Sequence, residues 1–99
     1  MPRFNVYPNP SGEGYLLDVQ AEIHSHLNSR MIVPLLPLAI APKPAQTLNP
    51  VFQLNGEAHS MVTQYMAAMP VKMLKGNTFN IQEHRAEIVA AIDFLLQGF

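Results

Sequence analysis

The chain has 99 residues, with six Lys or Arg against seven Asp or Glu and a net charge of −1. Apolar residues make up 48% and charged residues 13%, about half the usual share of about 25%. The cationic residues Arg3, Arg30, Lys43, Lys72, Lys75 and Arg85 form no basic stripe, which disfavours direct nucleic-acid binding, and the lack of cysteine excludes disulfides and thiolate metal sites.

The length suits one domain over residues 1–99, and neither an internal repeat nor a dividing linker interrupts it. Phe4 and Val6 alternate with Asn5, as in a short strand. Pro8-Asn9-Pro10-Ser11-Gly12-Glu13-Gly14 is a turn cluster. Tyr15, Leu17 and Val19 then alternate with Leu16, Asp18 and Gln20, which predicts a second strand and a hairpin. Met31-Ile32-Val33 reads as a third strand stopped by Pro34. The stretch Pro37 to Pro50 holds four of the nine prolines and reads as loop or sheet edge. Val51 to Leu54, Asn55-Gly56, and Glu57 to Thr63 form the clearest hairpin signal, because Asn-Gly supplies the two positive φ angles of a type I′ turn. Pro70 to Leu74 is expected to be the last strand. A helix closes the chain, with Asn80 as its cap and Glu83 completing a capping box. Ile81, Ile88, Ile92, Leu95 and Phe99 make its apolar face, widened by Val89 and Leu96. Gln82, Ala86, Asp93 and Gln97 make the opposite side, and Phe94 lies off the core face, covered either by a loop or by a partner.

A surface this poor in charge leaves neutral or apolar area exposed, which favours association. The longest apolar stretch, Met31 to Pro42, is broken by Pro34 and Pro37 and is shorter than the ~20 residues of a membrane span. The absence of cysteine makes cytoplasm the natural reading, although a cysteine-free periplasmic protein has the same composition, and the N-terminus has no apolar run of signal-peptide length.

Little in the sequence points to catalysis, and no catalytic residue, metal ligand or cofactor is assigned. His24 and His26 lack a third ligand at a fitting spacing, and a catalytic zinc needs three. His59 and Ser60 are neighbours on a predicted strand and so point to opposite faces. His84 reads as an edge residue in the first helical turn, and Glu83 and Glu87 as a solvated helix face. Met61, Met66, Met69 and Met73 read either as core filling or as an adaptable contact face.

Several strings, in order and over nearly the full length, carry a resemblance. They are Phe4-Asn5-Val6-Tyr7, Tyr15-Leu16-Leu17-Asp18-Val19-Gln20, Arg30-Met31-Ile32-Val33-Pro34-Leu35, Met61-Val62-Thr63-Gln64-Tyr65-Met66-Ala67-Ala68-Met69-Pro70-Val71 and Leu96-Gln97-Gly98-Phe99. The chain resembles the CcdB family, the toxins of toxin–antitoxin modules. The resemblance implies an SH3-like barrel, mainly an antiparallel sheet with a C-terminal helix, and a homodimer. It implies a toxin that does no chemistry of its own. Such a toxin binds the A subunit of bacterial DNA gyrase, traps gyrase on cleaved DNA, and is released by a CcdA-like antitoxin.

The family's gyrase contacts end in an aromatic-Gly-aliphatic tripeptide, matched here by Gln97, Gly98 and Phe99. Gly98 is retained, Phe99 keeps apolar bulk, and Gln97 replaces an aromatic. Asp93 and Phe94, one turn earlier, join them as expected gyrase contacts. The resemblance further implies antitoxin contacts at Pro10, Ser11, Gly12 and Glu13, in a loop that here is neutral to acidic. It places Met69, Leu95 and Phe99 at the dimer interface. Two alternatives stand beside the gyrase poison. One is a detoxified relative that keeps only dimer or antitoxin binding, motivated by Gln97. The other is an mRNA-cleaving endoribonuclease of the same barrel, against which the dispersed Lys and Arg set argues.

Overall fold

The computed structural model describes residues 2–22 and 26–98. Its strands are β1 (Asn5–Pro8), β2 (Tyr15–Asp18), β3 (Ser29–Pro37), β4 (Val51–Leu54), β5 (Glu57–Met61), β6 (Ala67–Pro70) and β7 (Phe79–Asn80), followed by helix α1 (Arg85–Gln97). Two turns fix the register. Asn9 ties the first by accepting from the Ser11 amide at 2.9 Å and donating to the Glu13 carbonyl at 3.2 Å, which sets Val6 opposite Leu17. Asn55 (φ 53°) and Gly56 (φ 82°) make the type I′ turn expected between β4 and β5, with Phe52 opposite His59.

Gly14 closes the first turn at φ 89°, and a Cβ there would run into the carbonyl oxygen of Leu35. Gly12, in the same loop, has open space around it and no positive φ. Gly14→Ala is therefore expected to cost about 2 kcal/mol or more, from left-handed strain and the clash together. Gly12→Ala is expected to be neutral or slightly stabilising. Urea denaturation of the two variants checks this; equal midpoints would refute it.

The sheet is antiparallel, in the order β4-β5-β3-β2-β1-β7, with β6 also pairing with β3, and it curls into a half-barrel. The long strand β3 organises it. One side of β3 pairs with β2, while the other takes β6 along Ser29–Ile32 and then β5 along Leu35–Pro37. Pro34 does not stop this strand, contrary to the sequence expectation. Its carbonyl accepts from the Val62 amide at 2.9 Å. The nitrogen of a strand residue faces the same side as its carbonyl, so the missing N–H falls where β6 has ended and β5 has not begun.

Helix α1 covers the inner face. Val6, Leu17, Val33, Leu35, Phe52, Leu54 and Met61 meet Ile81, Ile88 and Ala91 there in one buried cluster. The outer face is not bare. Tyr7, Leu16 and Ile32 are buried under Leu74, with Met69 packed against them. Covering this face takes a 3-10 turn at Val71–Met73, whose Val71 carbonyl accepts from the Leu74 amide at 2.9 Å. The strand expected at Pro70–Leu74 is thus displaced toward the N-terminus, to Ala67–Pro70. Of the four methionines, Met61 is fully buried, Met66 and Met69 are half-buried, and Met73 is exposed.

The entry to the helix also differs from expectation. Asn80 lies in β7, opposite Asn5, and its side chain donates at 2.9 Å both to the Arg3 carbonyl and to the Asn5 side chain. Its Oδ1 accepts from the Gln82 amide at 2.8 Å, at the start of a 3-10 turn, Gln82–His84, whose cap position is Ile81; Asn80 does not cap α1. Helix α1 begins at Arg85 without a side-chain cap, and Glu83 is exposed.

At the far end of β2, Asp18 and Arg30 are both buried and form a two-pronged pair. Arg30 donates from Nε to Asp18 Oδ2 at 2.8 Å and from Nη2 to Oδ1 at 3.1 Å. The Gln20 carbonyl accepts a further bond from Arg30 Nη2 at 3.1 Å. The Phe4 amide donates to the Asp18 backbone carbonyl, so one residue ties three segments together.

Candidate partner-binding surface

The last turn of α1 extends past the core it covers. Ile88 and Leu95 are seven residues apart and lie within about 20° of one another around the helix. Ile88 is 0% exposed and Leu95 is 37% exposed, so the same helical line is fully covered at its start and only partly covered at its end. Leu96 is 71% exposed and Phe94 36%. The sequence periodicity assigned Leu95 and Leu96 to the core; it gave their direction around the axis but not the length of the sheet. Ala91, which that reading passed over, is fully buried in the core cluster with Ile88.

Asp93, Phe94, Gln97 and Gly98 are brought together in this turn, all exposed. Gly98 ends the helix at φ 80°, ψ 11°, with its amide donating to the Phe94 carbonyl at 2.9 Å. This left-handed cap turns the chain off the helix axis, and glycine adopts it without strain. Phe99 lies outside the described residues. Leu96, which the sequence periodicity assigned to the apolar face and not to any contact, is exposed beside Phe94 and Leu95 on the final turn.

Pro10, Ser11, Gly12 and Glu13 form the exposed tip of the first hairpin, held by Asn9. Met69 and Leu95, both expected at a dimer interface, sit on different sides of the sheet. Met69 packs on the outer-face cluster, while Leu95 belongs to the helix over the inner face. The edge around Met69 is apolar and open, with Ala67, Ala68 and Pro70 exposed on β6 and Tyr65 exposed just before it.

His59 and Ser60 face opposite sides of the sheet, as alternation requires. The His59 ring lies 5.2 Å from that of Tyr15 on the inner face, whereas Ser60 is in register with Val51. His84 packs on Phe52 with 4.6 Å between ring centroids, and its Nδ1 is 3.4 Å from Glu87. His26 is exposed, and His24 lies outside the described residues. An open groove at the start of the helix is lined by Arg3 and Arg85 and by Glu22 and Glu83. Its charges cancel, so it favours neither anion nor cation.

A curled antiparallel sheet closed by one C-terminal helix is the SH3-like barrel of the toxin class. A protein-family model described as CcdB protein matches residues 3–98, and the chain belongs to the CcdB family, the toxins of toxin–antitoxin modules. No curated protein matches the chain. No helix among the described residues is long and apolar enough to cross a membrane.

Proposed function

We propose that this toxin binds the A subunit of bacterial DNA gyrase with the end of α1 and the Gln97-Gly98-Phe99 tip, and traps gyrase on cleaved DNA. The observation that carries this reading is the exposed last turn of α1, where Leu96 is 71% and Phe94 36% exposed, next to the tip. Burying a leucine fully contributes about 1.5–3 kcal/mol, most of which the isolated chain forgoes at Leu96. The toxin contributes binding only, and the DNA chemistry stays with gyrase. It acts in the cytoplasm as a homodimer, one domain per chain, that joins copies through surfaces including Met69 and Leu95. A CcdA-like antitoxin engages the tip of the first hairpin at Pro10 to Glu13. Because that tip carries Glu13 and no basic residue, the antitoxin segment that fits it is less acid-driven than a basic loop would select.

Gln97 supports a second reading, a detoxified relative that retains dimer and antitoxin binding. An exposed glutamine adds little apolar burial at an interface, where aromatic anchors dominate. A supercoiling assay with the native host's gyrase separates the two. The expected result is accumulation of protein-linked cleaved DNA. No affinity for the gyrase A fragment and no inhibition would favour the detoxified relative, whereas inhibition without cleaved DNA would show binding without trapping.

A further inference from the structure

Asparagine loses its side-chain amide when the backbone nitrogen of the next residue attacks it, which makes it a thermolabile residue. The residue that follows decides how easily that nitrogen is reached. Asn9 and Asn49 precede proline, which has no N–H to give up. Asn5, Asn77 and Asn80 precede the β-branched Val6, Thr78 and Ile81, which crowd the nitrogen, and Asn28 precedes Ser29. Only Asn55 precedes a glycine. A Cβ at Gly56 would meet nothing within 4 Å, and both turn residues are exposed, so this nitrogen is open to solvent.

The fold adds a restraint at the same position. Asn55 Nδ2 donates to the Tyr15 hydroxyl at 2.7 Å, which ties the turn to β2. Tyr15 is itself held, with its ring 5.6 Å from that of Phe79 in an edge-on contact and 5.2 Å from that of His59. The nitrogen bound to Tyr15 is the group that must leave, and the carbon beside it is the atom that must turn toward Gly56. The hydrogen bond therefore opposes the reaction.

We propose that Asn55-Gly56 is a site of spontaneous deamidation and that the Tyr15 hydroxyl is the latch that slows it. The Gly56 nitrogen loses its proton and bonds to Asn55 Cγ. The Cγ–Nδ2 bond breaks, and Nδ2 takes up a proton and leaves as ammonia. Water then adds to the cyclic imide and opens either ring C–N bond, with no change of oxidation state. Opening at Cγ leaves aspartate, and opening at the main-chain carbonyl carbon leaves isoaspartate. Isoaspartate routes the main chain through an added methylene carbon, so the turn that sets Phe52 opposite His59 no longer fits. Phe52 and Leu54 belong to the core, so the isoaspartate form is the less stable protein.

The test incubates the full 99-residue chain at neutral pH, as wild type, Tyr15→Phe and Ile88→Val, and follows each asparagine by peptide mass spectrometry. Asn55 is expected to convert faster than Asn28 and Asn77, which are also exposed. Tyr15→Phe keeps the ring and is expected to convert at Asn55 about three- to tenfold faster than wild type, the scale of one hydrogen bond. Ile88→Val, a core change of comparable cost on the helix, is expected to stay within about 1.5-fold of wild type. In urea, where the latch is absent, the three chains are expected to convert alike. Equal or slower conversion in folded Tyr15→Phe would overturn the latch, as would a difference that persists in urea. Equal acceleration in Ile88→Val would assign the protection to the fold at large and overturn it too. Conversion at Asn55 no faster than at Asn28 or Asn77 would overturn the site.

Discussion

Asp18→Ala lowers the unfolding free energy by about 3–5 kcal/mol, the cost of leaving a buried charge without its partner. Arg30 is 1% exposed and Asp18 0%, so neither group recovers hydration when the other is removed. Domains of this size have roughly 5–15 kcal/mol of stability in all. One such change therefore brings the chain close to unfolding at growth temperature. The paired replacement Asp18→Leu with Arg30→Met behaves differently, because it removes both desolvation penalties together. It is expected to be neutral or stabilising by about 1–4 kcal/mol if the apolar side chains pack. Urea denaturation at one fixed protein concentration measures both, since an associating protein gains apparent stability with concentration. A single replacement that costs under ~1 kcal/mol would show that water reaches the pair. The pair then acts less as a source of stability than as a constraint on register. A one-residue slip of β2 against β3 would carry Asp18 to the inner face and strand Arg30 among apolar side chains.

That pair also marks where the sequence stops being legible. Asp18 and Arg30 are 12 residues apart, and only the pairing of Asp18 with Ile32 brings them together. Nothing local signals it beyond an acid set among Leu16, Leu17 and Val19. The two hairpins were legible because their turns are local chemistry. Asn55-Gly56 and the Asn9-centred loop specify their own geometry before any tertiary contact forms. Strand β6 was not legible. Ala67 and Ala68 have weak strand preference, and they become a strand only because Met31 and Ile32 are there to pair with them. Pro34 misled for the converse reason: a breaker is tolerated where neighbouring strands leave a gap, and a gap is a property of the whole sheet. The site was half legible. Glycine near a helix end predicts a left-handed cap, and Gly98 provides one. The exposure of Leu95 and Leu96 depends on how far the sheet extends beneath the helix, which periodicity does not encode.

Deleting Gly98 and Phe99 is expected to abolish growth arrest in a gyrase-sensitive host while the fold survives. Gly98 contributes no side chain to the core, and its one described tie is the amide bond to the Phe94 carbonyl. Its loss frays the last turn at a cost of about 0.5–1.5 kcal/mol, the worth of one hydrogen bond. For a domain of about 100 residues this corresponds to a shift in melting temperature of several degrees at most. If the toxin grips gyrase as proposed, the loss of binding is expected to be far larger, because the deletion removes both the turn that aims the tip and the apolar end group. A loss of about 3 kcal/mol or more, over a hundredfold, is the scale set by truncating interface anchors. The measurement pairs a growth assay under induced expression with thermal denaturation of the purified variant. Gly98→Ala divides the effect further. A Cβ at that position meets nothing within 4 Å among the described residues of the chain, so a clash with the core is not the cause of any loss. Gly98→Ala penalises the left-handed backbone by roughly 1 kcal/mol, whereas Gly98→Asn, which tolerates that conformation, penalises it less. If Asn restores arrest and Ala does not, the tip depends on its direction. If both fail alike, gyrase closes on the bare backbone at Gly98. Full toxicity of the deletion would remove the tip from the binding site and leave the exposed turn at Leu96 to account for binding.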